Sequence, residues 1–300
     1  MQNIVEAFAP SGCEEPLCEL LKNRIQSKFE KVFVDNLGNL AASSGDGRLC
    51  IECGMDSTGV MVITPNDEQI RFSAVGNIKP KDIIGRKVVF ENASCGKVFC
   101  DNEKDTEDAK LSDLYILLDE GSVKKGDFGA IVPDFSEEDG GYTAYGLKNR
   151  IAAAAVCKAL ENTDCAENVT ILFSAQKRLG ARGLRAFFGV HSFEQIITVD
   201  GCTDDGCVII AKDEKIVANP DLRKKIETLA QEKNLDAETV VSENNFHLEQ
   251  IAVSCGAPCA AIGISVLCED GEPERVSKAD FDTSVLLIEE ILKGCEKKCL

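Results

Sequence analysis

The sequence predicts an α/β protein in which a mostly parallel sheet is sandwiched by helices and a small all-β domain is inserted. Three observations predict it. Apolar strand-like runs alternate with amphipathic helical runs at both ends of the chain, and such alternation builds a largely parallel sheet covered on both faces. Residues 58–146 instead carry only short alternating segments divided by Gly, Pro, Asn and Asp, the pattern of a small barrel or sandwich. Finally, 300 residues at 44% hydrophobic content suffice for one large core with an insertion.

Taken in order, residues 14–31 set Leu17, Leu20, Leu21, Ile25 and Phe29 on one helical face, with Pro16 in the first turn, where proline is tolerated. KVFVDNLGNLAAS at 31–43 reads as two strands around a turn, and LCIEC at 49–53 as a buried strand. The β segment follows with VMVIT, QIRFSAV, RKVVF, GKVFC, LYILLD and FGAIVP, and its acidic run at 101–108 reads as a solvated loop. From 147 onward, helices are expected at 149–160, from 183, at 220–232, 243–253 and 281–293. Strands are expected at 169–175, 195–200, 207–211, 238–242 and 258–264. The division is therefore 1–57 with 147–300 as one discontinuous α/β domain, and 58–146 as the insertion.

Composition excludes several functions. With 33 basic against 51 acidic residues the net charge is -18, a field that repels phosphate backbones, so no nucleic-acid partner is expected. No run of eighteen apolar residues predicts a membrane helix. Fifteen cysteines without a recognisable export signal point to a reducing cytoplasm, most of them serving as small core hydrophobes. The tight pair Cys50/Cys53 lies in a strand-like run, where residues three apart face opposite ways, a poor arrangement for chelating zinc.

An ordered set of strings resembles the tetrahedral, glutamyl-type metallo-aminopeptidases, which are exopeptidases using two cocatalytic zinc or cobalt ions. EAFAPSGCEEPLCELL is similar to their opening helix and VDNLGNLAA to their first hairpin. GSVKKGDF, LKNR at 147–150, SAQKRLGARG at 174–183, TVDG at 198–201, PDLRKKIETLAQEKN and GAPCAAIGI follow in family order. The resemblance implies a zinc-exopeptidase-like fold whose insertion serves oligomerisation, and either a homo-oligomer or a hetero-oligomer with an active paralogue.

The family's metal ligands and general base are carboxylates and imidazoles, the donors that cocatalytic cations need. On the resemblance, Gly54 stands at the first histidine, Lys148 at the bridging aspartate and Lys177 at the general-base glutamate. Arg178 stands at the adjacent ligand glutamate and Cys268 at the last histidine. Asp200 is the ligand retained, and Asp56 is the retained acid that orients the missing histidine. Three carboxylates have become three cations, so no metal or other cofactor and no catalytic residue is expected. Lys148, Lys177 and Arg178 are expected to fill the metal volume and pair with Asp56 and Asp200, unless the loop carrying Lys177 and Arg178 turns them to solvent. His191 and His247 are expected at the surface or in packing rather than beside Cys268. Three functions remain open: a catalytically silent structural or regulatory homologue, a binding module for a peptide or carboxylate, or an aminopeptidase with an unorthodox metal site.

Overall fold

The computed structural model describes all residues except 67–68, 102–105, 139, 164–167, 269–272 and 297–300. Part of the acidic run at 101–108 thus lies outside the described residues.

Eight strands form the main sheet, in the spatial order Lys31–Val34, Leu40–Ser43, Val169–Ser174, Leu49–Gly54, Gln195–Cys202, Cys259–Ser265, Cys207–Lys212 and Ala237–Val241. Leu49–Gly54 lies at its centre, parallel to Val169–Ser174 on one side and Gln195–Cys202 on the other. Every residue of that strand is buried. A strand covered on both faces needs a continuous apolar run, which LCIECG supplies apart from Glu52.

The sheet is mixed rather than mostly parallel. Four neighbouring pairs are parallel, and antiparallel pairing joins Lys31–Val34 to Leu40–Ser43, Leu40–Ser43 to Val169–Ser174, and Cys207–Lys212 to Cys259–Ser265. The cause is connection length. The chain between 34 and 40, and between 202 and 207, is too short for a helical crossover, so it reverses direction.

Two helix expectations change most at their edges. The helix expected at 14–31 is Glu15–Ile25, followed by one 3₁₀ turn, Gln26–Lys28, because the chain must extend to pair Lys31–Val34 with Leu40–Ser43. The helix expected at 243–253 begins at Leu248. Before it, the Asn244 side chain bonds Thr203, Asp204 and Ser242, holding the segment as a loop. Helix Pro220–Glu232 has the predicted bounds, capped by the Asn219 side chain on Leu222 N.

A second, six-stranded sheet uses residues 59–131, in the order Arg71–Val75, Gly59–Thr64, Phe128–Ile131, Lys87–Phe90, Cys95–Cys100 and Leu114–Glu120, all antiparallel. Ile70 and Ile116 exchange two backbone hydrogen bonds of 2.9 Å, so its outer strands meet. Val60, Phe72, Val88, Phe90 and Ile116 belong to a hydrophobic cluster separate from that of the main sheet. Further along, Gly141–Ala144 pairs with Glu274–Ser277, and Tyr142 packs edge-on against Phe281 in the larger core.

Candidate functional site

Asp200 occupies the C-terminal half of strand Gln195–Cys202, one strand away from Leu49–Gly54, which carries Glu52 and ends at Gly54. The strand beyond, Val169–Ser174, leads into the turn at 175–181 that carries Lys177 and Arg178. Parallel strands deliver their C-terminal ends to one edge of the sheet, so these residues converge there.

The turn is fixed by buried acceptors. Asp56, fully buried, accepts hydrogen bonds from Lys177 N at 2.9 Å, Arg178 N at 2.8 Å and the Ser11 hydroxyl. Glu14 accepts from Gln176 N at 2.8 Å, and Asn39 Oδ1 accepts from Ala175 N at 2.8 Å. Gln176 and Ala181 hold φ values of 52° and 54°, a left-handed conformation costly for non-glycine residues. The side-chain anchors oppose that cost and aim Lys177 inward.

Lys177 is buried and its Nζ lies 3.1 Å from Glu52 Oε2 and 3.2 Å from Asp200 Oδ2. Arg178 reaches the other oxygen of Asp200 at 3.1 Å. Glu52 is completed by Ser174 Oγ and Thr198 Oγ1, each donating at 2.5 Å. Two carboxylates thus face two cations in a neutral cluster, which is how buried charge is tolerated. Burial alone would favour neutral side chains. The Lys177 and Arg178 charges nevertheless hold the Asp200 carboxyl well below the usual range. Against the same burial penalty, Asp200 and Glu52 raise the Lys177 ammonium above its ordinary value.

The remaining predicted positions sit around this cluster. Gly54 packs under Lys177, where an added Cβ would come within 2.7 Å of its Cδ. Lys148 is not part of the cluster: its Nζ donates to Asn244 Oδ1 at 2.8 Å and its backbone N to Glu274 Oε2 at 2.7 Å. The expected pairing therefore changes in two respects. Lys148 turns to Asn244, and Asp56 pairs with backbone amides rather than with side-chain cations, because Glu52 already supplies the second buried carboxylate. Cys268 is exposed in the loop after Cys259–Ser265. His191 stacks on Phe187 with centroids 4.3 Å apart. His247 caps helix Leu248–Cys255 at φ 61°, and burial together with the nearby Lys177 charge pushes its pKa down to about 4.

Sequence reasoning missed Glu52. The signal was available: a lone carboxylate inside an otherwise apolar, strand-like run demands a buried partner. It noted Arg150, within LKNR, as a retained family residue but gave it no role: the structure makes it a buried guanidinium that donates to Met55 O, to Ala9 O at 3.1 Å and to Ser57 Oγ at 3.1 Å. Arg150 thereby ties the end of the central strand to the N-terminal segment, and burial lowers its pKa to about 10. No disulfide joins the described cysteines, and burial raises the Cys50 and Cys53 thiols well above the ordinary range.

The fold defines a chain built like an aminopeptidase. It belongs to the M42 glutamyl aminopeptidase family, whose profile matches residues 38–287. A curated relative from Acetivibrio thermocellus, named "Putative aminopeptidase", is 29% identical, with 94% of each chain covered. The aminopeptidase APDkam598 from the archaeon Desulfurococcus kamchatkensis superposes with a TM-score of 0.87 at 19% identity, covering 97% of this chain and 92% of that one. The TET1 peptidase of Pyrococcus horikoshii, which can assemble into a tetrahedron or a large octahedral shell, gives 0.84 at 22% identity with 97% of each chain covered.

The donor set can be tested against the family's two cations. Such a centre needs several carboxylate or imidazole groups open to coordination. Both Asp200 oxygens already face Lys177 and Arg178, and Gly54 offers no donor. Among the described residues no group of three or more His, Cys, Asp or Glu side chains is arranged to hold a metal ion. The residues at this point do not fit a two-metal centre.

Proposed function

We propose that this chain is a catalytically silent M42-family homologue with a structural or regulatory role, in which a buried ion-pair cluster stands where the family carries its metals. One observation carries the reading: the Lys177 ammonium lies between Glu52 and Asp200, within 3.2 Å of both. On this reading the degenerate positions are Gly54, Asp56, Lys148, Lys177, Arg178, Asp200 and Cys268. A positive charge at that point repels divalent ions wherever the local dielectric is low. A water molecule there would lack a proton acceptor, since Lys177 is protonated and paired.

The binding-module reading is weaker, because Lys177 and Arg178 are neutralised by Glu52 and Asp200 rather than open to a ligand carboxylate. The unorthodox aminopeptidase is disfavoured by the same pairs. We also assign residues 58–146 to an inserted oligomerisation domain, whose last strand, Gly141–Ala144, returns to pack with the larger core, and a cytoplasmic location on the cysteine usage. Homo-oligomerisation is supported by the assemblies of the TET1 relative. No described helix is long and apolar enough to cross a membrane.

The test is metal analysis after dialysis against zinc, cobalt and manganese, followed by assay on aminoacyl and short-peptide substrates. At most sub-stoichiometric metal and no hydrolysis are expected. Two tightly held ions per chain with chelator-sensitive cleavage would overturn the reading.

A further inference from the structure

A second feature lies outside the cluster, at the edge of the main sheet. Among the described residues, Lys31–Val34 is a terminal strand and pairs on one side only, with Leu40–Ser43. Alternate N–H and C=O groups of a terminal strand point away from its neighbour and are open to an added strand. A groove of about 650 Å³ runs along this edge, between the strand and the start of helix Glu15–Ile25. Its floor is apolar, with Val32 and Phe33 half-buried and Val34 42% exposed. Its wall is acidic: Glu15, Glu19 and Asp35 line it, and of the described cations only Lys22 joins them there, already paired with Glu19 at 3.2 Å, while Lys31 at the start of the strand lies over the Phe33 ring at 5.0 Å.

We propose that this groove docks an extended, basic and apolar peptide segment of another protein by strand addition to Lys31–Val34. The backbone of the added strand would supply the affinity. Its alternating side chains would read the two surfaces, apolar residues over Val32 and Val34 and Lys or Arg toward Glu15 and Glu19. Charge decides between occupants. A second copy of this chain would bring another acidic wall and another net charge of -18 onto the same edge, whereas a basic segment is drawn to it.

The test uses three labelled ten-residue peptides and fluorescence anisotropy on the full chain. The first alternates lysine and valine, the second alternates glutamate and valine, and the third is the first with alternate backbone nitrogens methylated. Methylation keeps the charge and removes the donors of a strand. The first peptide is expected to bind at least tenfold more tightly than either other. The double variant Glu15→Lys, Glu19→Lys, both exposed on the helix, is expected to weaken it at least tenfold with an unchanged circular dichroism spectrum. Slowed amide exchange at residues 31–34 on binding is the independent readout. Equal binding of the methylated peptide, an unaffected double variant, or no binding of the first peptide overturns the proposal. So does concentration-dependent self-association abolished by Val34→Lys, which assigns the edge to a second copy.

Discussion

Lys177 lies directly over Gly54: a Cβ built on Gly54 would come within 2.7 Å of Lys177 Cδ and 3.3 Å of its Cβ. The two residues are coupled, since the lysine stem occupies the space that a side chain at 54 would need. Gly54→Ala is expected to destabilise by about 1–3 kcal/mol, the usual cost of overpacking a close-packed site. In a Lys177→Ala background the same change should cost less than about 1 kcal/mol. Denaturant unfolding of the four proteins gives the coupling, and strictly additive effects would show that the two do not compete for space.

Lys177→Met leaves Glu52 and Asp200 buried near each other with Arg178 as the remaining cation. Removing one partner from a buried charge set typically costs about 3–5 kcal/mol. Lys224→Met, on an exposed helix position, should stay within about 0.5 kcal/mol. Comparable urea midpoints for the two variants would refute the buried-pair account.

Lys148→Met should be mild by comparison. Its ammonium donates a single described hydrogen bond, to Asn244, and a bond from a charged donor contributes about 1.5–3 kcal/mol net, less than the loss expected at Lys177. A loss as large as that from Lys177→Met would place Lys148 in the cluster after all.

His247 gives a pH signature. Its folded pKa of about 4 lies below the ordinary 6.5, through burial first and then the Lys177 charge. As pH falls, the unfolded chain takes up this proton before the folded one does, so the contribution is complete above about 6.5 and is lost progressively toward 4. His247→Asn keeps a residue that tolerates the left-handed φ of 61° and removes the titration. Between pH 6.5 and 4 the wild type should lose more stability than the variant. Glu14 and Glu274, both raised by burial, act in the opposite sense in both proteins and cancel in the difference. Parallel stability curves would rule out the assignment. Asp200, held low, adds its own loss below about 5, as the unfolded carboxyl starts to protonate, and does so in both proteins.

Much of the architecture was legible because it rests on local pattern. The buried strand at 49–54, the hairpin at 31–43 and the helix Pro220–Glu232 follow from periodicity and capping residues that the chain carries within each segment. The helix end at Ile25 and the mixed strand directions were not legible, because both depend on which distant segment pairs with which.

The sequence by itself determined that Gly54, Lys177, Arg178 and Asp200 stand on segments that the family resemblance brings together, and that their donors are wrong for two metals. Only the tertiary structure decided who neutralises whom. The sequence marks Glu52 as a lone carboxylate in an apolar run but not its partner, which is settled when the turn at 175–181, clamped by Asp56, Glu14 and Asn39, lowers Lys177 onto it. Lys148 is a cation like the others until its backbone and Asn244 hold its ammonium outside the cluster. The physical reason is that charge pairing in a buried site is set by ångström-scale positions across several strands, and a single chain's pattern of residues encodes which groups are present but not which oxygen each one faces.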